Sequence, residues 1–414
     1  MWIETVATGD ELRFGEIIDT NSAHIARALG AEGLELARAT IVGDEQGEIA
    51  DAMRSALSRA DVVLVTGGLG PTDDDLTREA LAEVLGVELE HRPEAVAAIE
   101  KRIGRPLTEK NRRQTRAPIG TRLIANEHGT APGLRAEVNG KAVYVMPGVP
   151  HEMERMLADS VIPEILAERL SGTGASARRY FVVHGVPESQ LAALLDGVAD
   201  AWDHLMLGTR VGYGTILVRA TARCDTREES ERVVEGAARL VRERLGDAIC
   251  GEGDHNLAQF VARAAIEKGV KIAIAESCTG GAISSKLVAV PGVSSVLVEA
   301  VVAYANEAKT RALGVDERLL RDHGAVSPEV ARAMADGVRR NAGADVAVST
   351  TGIAGPTGGS LEKPVGLVYV GVSSAAGTES VEKRFKGSRD VVIQRSAEAA
   401  LWLLLREIVG RPAG

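Results

Sequence analysis

Three times in its first 150 residues the chain runs an apolar, β-branched segment straight into a glycine- or proline-rich turn. This pattern constrains the fold more than any other feature. The segments are Ile3 to Ala7 before Thr8-Gly9-Asp10, Val62 to Val65 before Thr66-Gly67-Gly68, and Val143 to Met146 before Pro147-Gly148. Helical patterns lie between them. Strand, turn and helix in alternation predict an open α/β sheet whose loops gather along the carboxyl edge, where such sheets bind ligands.

At 414 residues the chain exceeds the roughly 250 to 300 at which one core stops growing, so two or three domains are expected. The first spans 1–171, and the unpatterned Ser171 to Ala177 reads as a linker. Residues 178–250 predict a small α+β unit. Its parts are a strand (Tyr180 to His184), a helix (Glu188 to Val198), a Gly-broken turn (Gly208 to Gly214), a strand (Ile216 to Cys224) and a helix (Arg227 to Leu245). Gly251 to His255 reads as a second linker. The third domain, 256–414, opens with a helix (Leu257 to Lys268) and resumes the βα alternation.

Composition excludes several roles. The formal charge of -10 repels nucleic acid, and aromatic residues at 3% supply few stacking platforms, so small-molecule partners are expected and nucleic acid is not. Cys224, Cys250 and Cys278 are too few and too scattered for a disulfide framework or a zinc cluster, which fits a reducing, cytoplasmic setting. Trp2 to Ala7 is strand-like rather than the basic and then apolar stretch of a signal peptide, so export is not expected. No run approaches the roughly 20 apolar residues of a membrane span, so no membrane partner is expected.

The densest chemistry lies near the C-terminus. Lys271 to Ala275 predicts a strand that runs into Glu276-Ser277-Cys278-Thr279-Gly280-Gly281 and then a helix from Ala282 to Val290. Ser277 would sit at a strand-to-helix turn, where a hydroxyl is exposed and helix N-terminal amides can hold an oxyanion or phosphate. The plainer reading is that Ser277 or Thr279 caps the helix. Cys278 is a rival nucleophile, because a helix N-terminus lowers a thiol pKa. The strand Val296 to Ala303 delivers Tyr304, Asn306 and Lys309, and Lys309 could act as a base if burial lowers its pKa. Asp345 to Ser349 precedes Thr350 to Gly359, where Gly352, Gly355, Gly358 and Gly359 let backbone approach a phosphate or carboxylate. Arg389 offers a guanidinium suited to a phosphate.

A second constellation occupies the first domain. Thr66-Gly67-Gly68-Leu69-Gly70-Pro71-Thr72-Asp73-Asp74-Asp75 joins a Gly-rich strand end to three carboxylates, a pattern suited to a phosphate and a hard cation. Acids at a helix N-terminus, favoured by the macrodipole, are the plainer reading. Asp10, Glu11, Asn21 and His151 add polar groups from neighbouring loops.

These residues carry a resemblance to the CinA family. Ala275 to Gly281, Val302 to Lys309, Gly324 to Ser327, Thr351 to Pro356 and Lys363 to Gly366 resemble the nicotinamide mononucleotide deamidase domain at the end of CinA proteins. The resemblance implies a dyad of Ser277 as nucleophile and Lys309 as base, with Tyr304 and Thr351 in the catalytic set. It also implies substrate contacts from Thr279, Gly280, Gly281, Asn306, Gly352, Gly355, Gly358 and Arg389, and no cofactor for deamidation. Residues 1 to about 170 resemble the molybdopterin-binding fold fused at the start of CinA proteins. That implies an α/β sandwich and an ADP-ribose pyrophosphatase using magnesium, cobalt or manganese. Its site would hold Gly67, Gly68, Gly70, Asp10, Asp73, Asp74 and Asp75, the last three being metal candidates among which the choice stays open. The middle unit resembles the KH-like module of full-length CinA proteins, yet Gly208 to Gly214 lacks an RNA-gripping Gly-x-x-Gly at a helix-helix turn, so a structural or dimerising role is expected. A homodimer is implied. The alternative reading is a non-catalytic nucleotide- or pterin-binding regulator linked to competence or DNA damage.

Overall fold

A computed structural model describes residues 1–169 and 175–410, so part of the expected linker, 171–174, lies outside the described residues. By its contacts the chain divides into two compact units: Met1–Ala177 with Arg223–Glu231, and Arg178–Ala222 with Arg232–Gly414.

The first unit is built on a six-stranded sheet. Its strand order is Leu36–Val42, Ile3–Thr8, Val62–Thr66, Lys141–Met146, Gly133–Val138, Arg122–Ile124. The first four strands run parallel, and the last two turn antiparallel. Ile3–Thr8 and Val62–Thr66 are buried throughout, which explains why neither alternates apolar with polar residues; the buried Glu4 of the first strand is paired with Arg59. The helices Gln46–Leu57 and Thr77–Leu85 cover one face through Ile49, Met53 and Leu81, and Thr20–Ala31 with Pro150–Met156 covers the other through Ile25, Leu29 and Met153. This is the expected α/β sandwich.

The second unit holds two sheets. In the smaller, Leu205–Val211, Thr215–Cys224, Ala175–His184 and Ile249–Glu252 lie side by side in that order. Two sequence expectations are corrected here. Gly208 to Gly214 is not wholly a turn: Leu205–Val211 pairs antiparallel with Thr215–Cys224, leaving 212–214 as the reversal. Gly251 to His255 is not wholly a linker, because Ile249–Glu252 pairs with Phe181 to Val183. In both cases ladder bonding between strands overrides the local preference of glycine for turns.

The larger sheet orders Leu297–Val302, Ile272–Glu276, Val346–Gly352, Leu367–Ser374 and Gly377–Arg384. Its first three strands are parallel and the last two antiparallel. Leu257–Lys268 begins with a capping box, the Asn256 side chain accepting from the Gln259 amide and the Gln259 side chain accepting from the Asn256 amide. That helix packs with Arg389–Val409 over one face of the sheet, and Pro328–Ala342 covers the other through Val330, Met334 and Val338. Among the described residues, no helix is long and apolar enough to cross a membrane.

Candidate active site

Three parallel strands of the larger sheet end at one level, with Glu276 in register with Val302 on one side and Thr350 on the other. Chain leaving these ends is stitched together at once. The Ser277 amide donates to Thr350 O at 3.0 Å, and the Ala303 amide donates to Glu276 O at 2.8 Å. Ser277, Tyr304 and Thr351 therefore stand at adjacent points, the first two just past their strands and Thr351 near the end of Val346–Gly352.

Lys309 lies in the first turns of the helix Asn306–Leu313 and is 1% exposed. Its Nζ donates to Ala303 O at 3.0 Å and Tyr304 O at 2.9 Å, so the amine is tied to the strand end beside Ser277. Among the described residues it makes no hydrogen bond to Ser277 itself. Burial pushes the Lys309 pKa below the ordinary lysine value, and the neighbouring Cys278 and Glu307 oppose that shift.

The Ser277 turn differs from expectation in several respects, beginning with Ser277 itself, which is buried. The turn's helix N-terminal amides are not open to an anion. The Glu276 carboxylate, wholly buried, accepts from Gly281 N at 3.0 Å, Ile283 N at 3.1 Å and Ser284 N at 2.9 Å, and from Ser284 Oγ at 2.5 Å. Neither Ser277 nor Thr279 caps the helix. Gly281 is the N-cap, and Thr279 Oγ1 instead meets Thr350 Oγ1 at 2.7 Å. Gly280 and Gly281 take φ of 62° and 103°, values that favour glycine and let the chain double back over Glu276. Cys278, beside Ser277, is buried, and burial, with the Glu276 charge adding, pushes its thiol up to about 12, away from the thiolate form a nucleophile needs.

Arg389 links the outer parts of this end. Its Nη1 donates to Gly355 O at 2.8 Å and its Nη2 to Tyr304 Oη at 3.1 Å, so it fastens the Gly-rich loop to an exposed tyrosine. Thr351 Oγ1 donates to Ala325 O at 2.7 Å and is buried. Gly352 has no room for a side chain, a Cβ meeting Leu367 O at 2.8 Å, whereas Gly358 and Asn306 stand exposed. Glu276 carries no sequence assignment to a role, although a lone acid at the end of an apolar strand was a signal for one.

In the first unit a cleft of about 530 Å³ opens at the carboxyl edge, where Thr8, Thr66 and the 147–150 loop meet. Strand order reverses here between Ile3–Thr8 and Val62–Thr66, the place where open sheets take ligands. Gly67, Gly68 and Gly70 line it as expected. Gly67 and Gly68 have φ of 104° and 65°, and a Cβ on Gly68 would stand 2.0 Å from Thr77 Oγ1. The buried Arg78 holds the loop from behind, donating to Leu69 O and Gly70 O, both at 2.7 Å.

The three aspartates diverge, as consecutive side chains in a turn must. Asp73 is fully exposed and pairs with Arg113 at 2.6 Å. Asp75 accepts from the amides of Gly70 at 2.7 Å and Thr72 at 2.8 Å and from the Thr72 hydroxyl, and so closes the loop. Asp74 lines the cleft. Asp10 turns to Arg13 at 2.7 Å, outside the cleft lining. Asp73, Asp74 and Asp75 thus do not form a joint metal cage, and among the described residues no three His, Cys, Asp or Glu side chains are grouped to hold one. Asp44, which the sequence reading missed, also lines the cleft. Burial raises its pKa, with Glu11, Asp10 and Asp74 adding to the rise.

Comparison with known proteins covers the chain in three consecutive stretches. Residues 4–167 match the family model "Probable molybdopterin binding domain", 178–251 match "Damage-inducible protein CinA KH domain", and 254–408 match "CinA C-terminal domain". A "CinA-like protein" of Geobacter sulfurreducens is 43% identical over 411 residues, covering 98% of this chain and 99% of that protein. A crystal structure of "the protein CinA with unknown function" from Thermoplasma acidophilum shares 38% identity over 39% of this chain and 96% of its own, with a TM-score of 0.38. One of a "competence/damage inducible protein" from Agrobacterium tumefaciens shares 36% identity over 38% of this chain and 98% of its own, with a TM-score of 0.36.

Proposed function

The chain belongs to the CinA family, and from that premise we propose that its C-terminal module deamidates nicotinamide mononucleotide. The observation that carries this reading is the placing of a turn serine and a buried lysine at two adjacent strand ends, linked by the Ala303 amide on Glu276 O and the Lys309 amine on Ala303 O.

In this reading neutral Lys309 accepts the Ser277 hydroxyl proton as Oγ bonds to the carboxamide carbon. The C–N bond then breaks, the proton leaves with the nitrogen as ammonia, and the pyridine carbonyl remains as an ester of Ser277. Water, deprotonated by the same lysine, cleaves that ester to nicotinate mononucleotide and restores the hydroxyl. Burial serves the step directly, because an amine held below its usual pKa is a base at a lower pH. Thr351 and Tyr304 flank the pair, and Arg389 with the Gly352–Gly359 stretch provides the recognition side.

A second reading concerns the first unit, where the place of the cleft at the strand-order switch point supports a ligand such as ADP-ribose, whose phosphates would need a cation to sit among the acids that line it. Its lining holds Glu11, Asp19, Asp44, Asp74, Asp75 and Glu152 with no lysine or arginine. Since the aspartate run is not arranged as a cage for magnesium, cobalt or manganese, no hydrolytic step is assigned there. A homodimer is part of the same proposal, as is an absence of nucleic acid among the partners.

Ammonia release from nicotinamide mononucleotide by the purified protein, beside a Ser277→Ala variant, tests the deamidase reading. Release that disappears in the variant supports it; no release from the parent leaves a binding or regulatory role as the better account.

A further inference from the structure

We propose that Glu276 is the positioning residue of the Ser277 turn: one carboxylate that closes the loop at both ends and thereby sets where the nucleophile stands. The catalytic half of this inference rests on the deamidase reading above; the structural half does not.

Glu276 ends a strand whose other residues, Ile272 to Ala275, are all buried and apolar, and it is itself without solvent exposure. A carboxylate in such a place is unfavourable unless its lone pairs are filled. They are filled from one short stretch of chain. Oε2 takes the amides of Gly281 and Ile283, and Oε1 takes the amide and hydroxyl of Ser284. The four residues between the acid and its first donor, the Gly281 amide, include Ser277, so the loop that carries the nucleophile is pinned at its start by covalent attachment and at its end by hydrogen bonds to the same side chain. The backbone adds a second fastening, Ser277 N to Thr350 O and Gly280 N to Ser277 O at 3.1 Å.

This arrangement also assigns the amides at the start of Ala282–Val288 to a fixed internal anion. They hold the turn rather than the substrate, which moves recognition of a substrate phosphate to the opposite side, toward Arg389 and the Gly-rich loop. Cys278 is buried inside the pinned loop and so reports on it: its thiol is shielded while the clamp holds.

Replacing Glu276 by alanine vacates the clamp while leaving space for a small carboxylate, so formate can be offered in its place. Two readouts are taken on the full chain: deamidation kinetics, and iodoacetamide labelling of Cys278 located by mass spectrometry. The expected result for Glu276→Ala is a fall in kcat of about 10- to 100-fold with KM little changed, since displacing a reacting atom by an ångström costs up to about 100-fold. Cys278 labels faster, and formate restores part of kcat and slows the labelling. Should Glu276→Ala fail to fold, Glu276→Gln, which keeps the volume and loses acceptor capacity, is expected to show the same pattern more weakly. Wild-type kcat in both variants, unchanged Cys278 labelling, or no response of either readout to formate in a folded alanine variant overturns the proposal. If the parent releases no ammonia, the deamidase reading fails alone, and Cys278 labelling still decides the clamp.

Discussion

The two Gly-rich strand ends, Glu276 to Gly281 and Thr66 to Asp75, solve one problem in opposite ways. Each must reverse the chain at the carboxyl edge of a parallel sheet, and each uses an internal carboxylate to collect the amides so exposed. At the C-terminal site the acid precedes the loop and is wholly buried, and a buried lysine stands at the next strand end. At the N-terminal site the acid, Asp75, follows the loop and lies at the rim of a cleft whose lining has no basic residue. The first arrangement sets a buried amine near one hydroxyl and suits proton transfer; the second leaves an acidic, open basin and suits ligand binding. A glycine-rich strand end is therefore not a functional signature until the destination of its amides is known.

The largest expected effect separates the two sites outright. Ser277→Ala should lower deamidation by on the order of 10³-fold or more, as loss of a nucleophile does, while leaving ligand binding in the N-terminal cleft untouched. Ammonia assay and calorimetry on the same sample decide this, and comparable losses at both sites would erase the distinction.

Lys309→Met should cost about 10²- to 10⁴-fold in kcat/KM, the usual worth of a positioned base. Its sign in pH follows from the lowered pKa: the neutral amine accumulates as pH rises through a midpoint beneath the ordinary lysine value of about 10.4, so kcat/KM climbs over that limb and then levels. A profile with no such limb, or an unaltered rate in the methionine variant, would remove Lys309 from the mechanism.

The N-terminal loop is probed through its geometry. Gly68→Ala forces a Cβ against Thr77 at positive φ and should destabilise the first unit by about 1 to 3 kcal/mol, read as a shift in urea midpoint. Deamidation should persist. Smallest is Asp75→Ala, which leaves the Gly70 and Thr72 amides without their acceptor at a half-exposed site and should cost about 1 kcal/mol. A loss larger than that of Gly68→Ala would mean that Asp75 does more than close the loop.

Much of this was legible beforehand, for reasons that differ by element. Arg227–Leu245 and Leu257–Lys268 match their sequence patterns to the residue, because helix boundaries answer to local periodicity and caps. The central strands were legible as apolar runs because both their faces are covered. Leu205–Val211 and Ile249–Glu252 were hidden because their glycines suggest turns: the first is one arm of a tight hairpin with Thr215–Cys224, and the partner of Ile249 lies about 70 residues away.

By itself, then, the sequence determined the order of modules, the strand ends that carry Ser277, Tyr304 and Thr351, and the glycines that allow the chain to reverse there. Only the tertiary structure decided where side-chain charges go: that Glu276 turns inward to the Gly281, Ile283 and Ser284 amides, that Lys309 is buried against Ala303, that Asp73, Asp74 and Asp75 part company, and that Asp44 enters the cleft. The physical reason is that backbone conformation follows largely from neighbours in the chain, whereas the partner and the burial of a carboxylate or an amine depend on which distant backbone groups the fold brings within hydrogen-bonding reach.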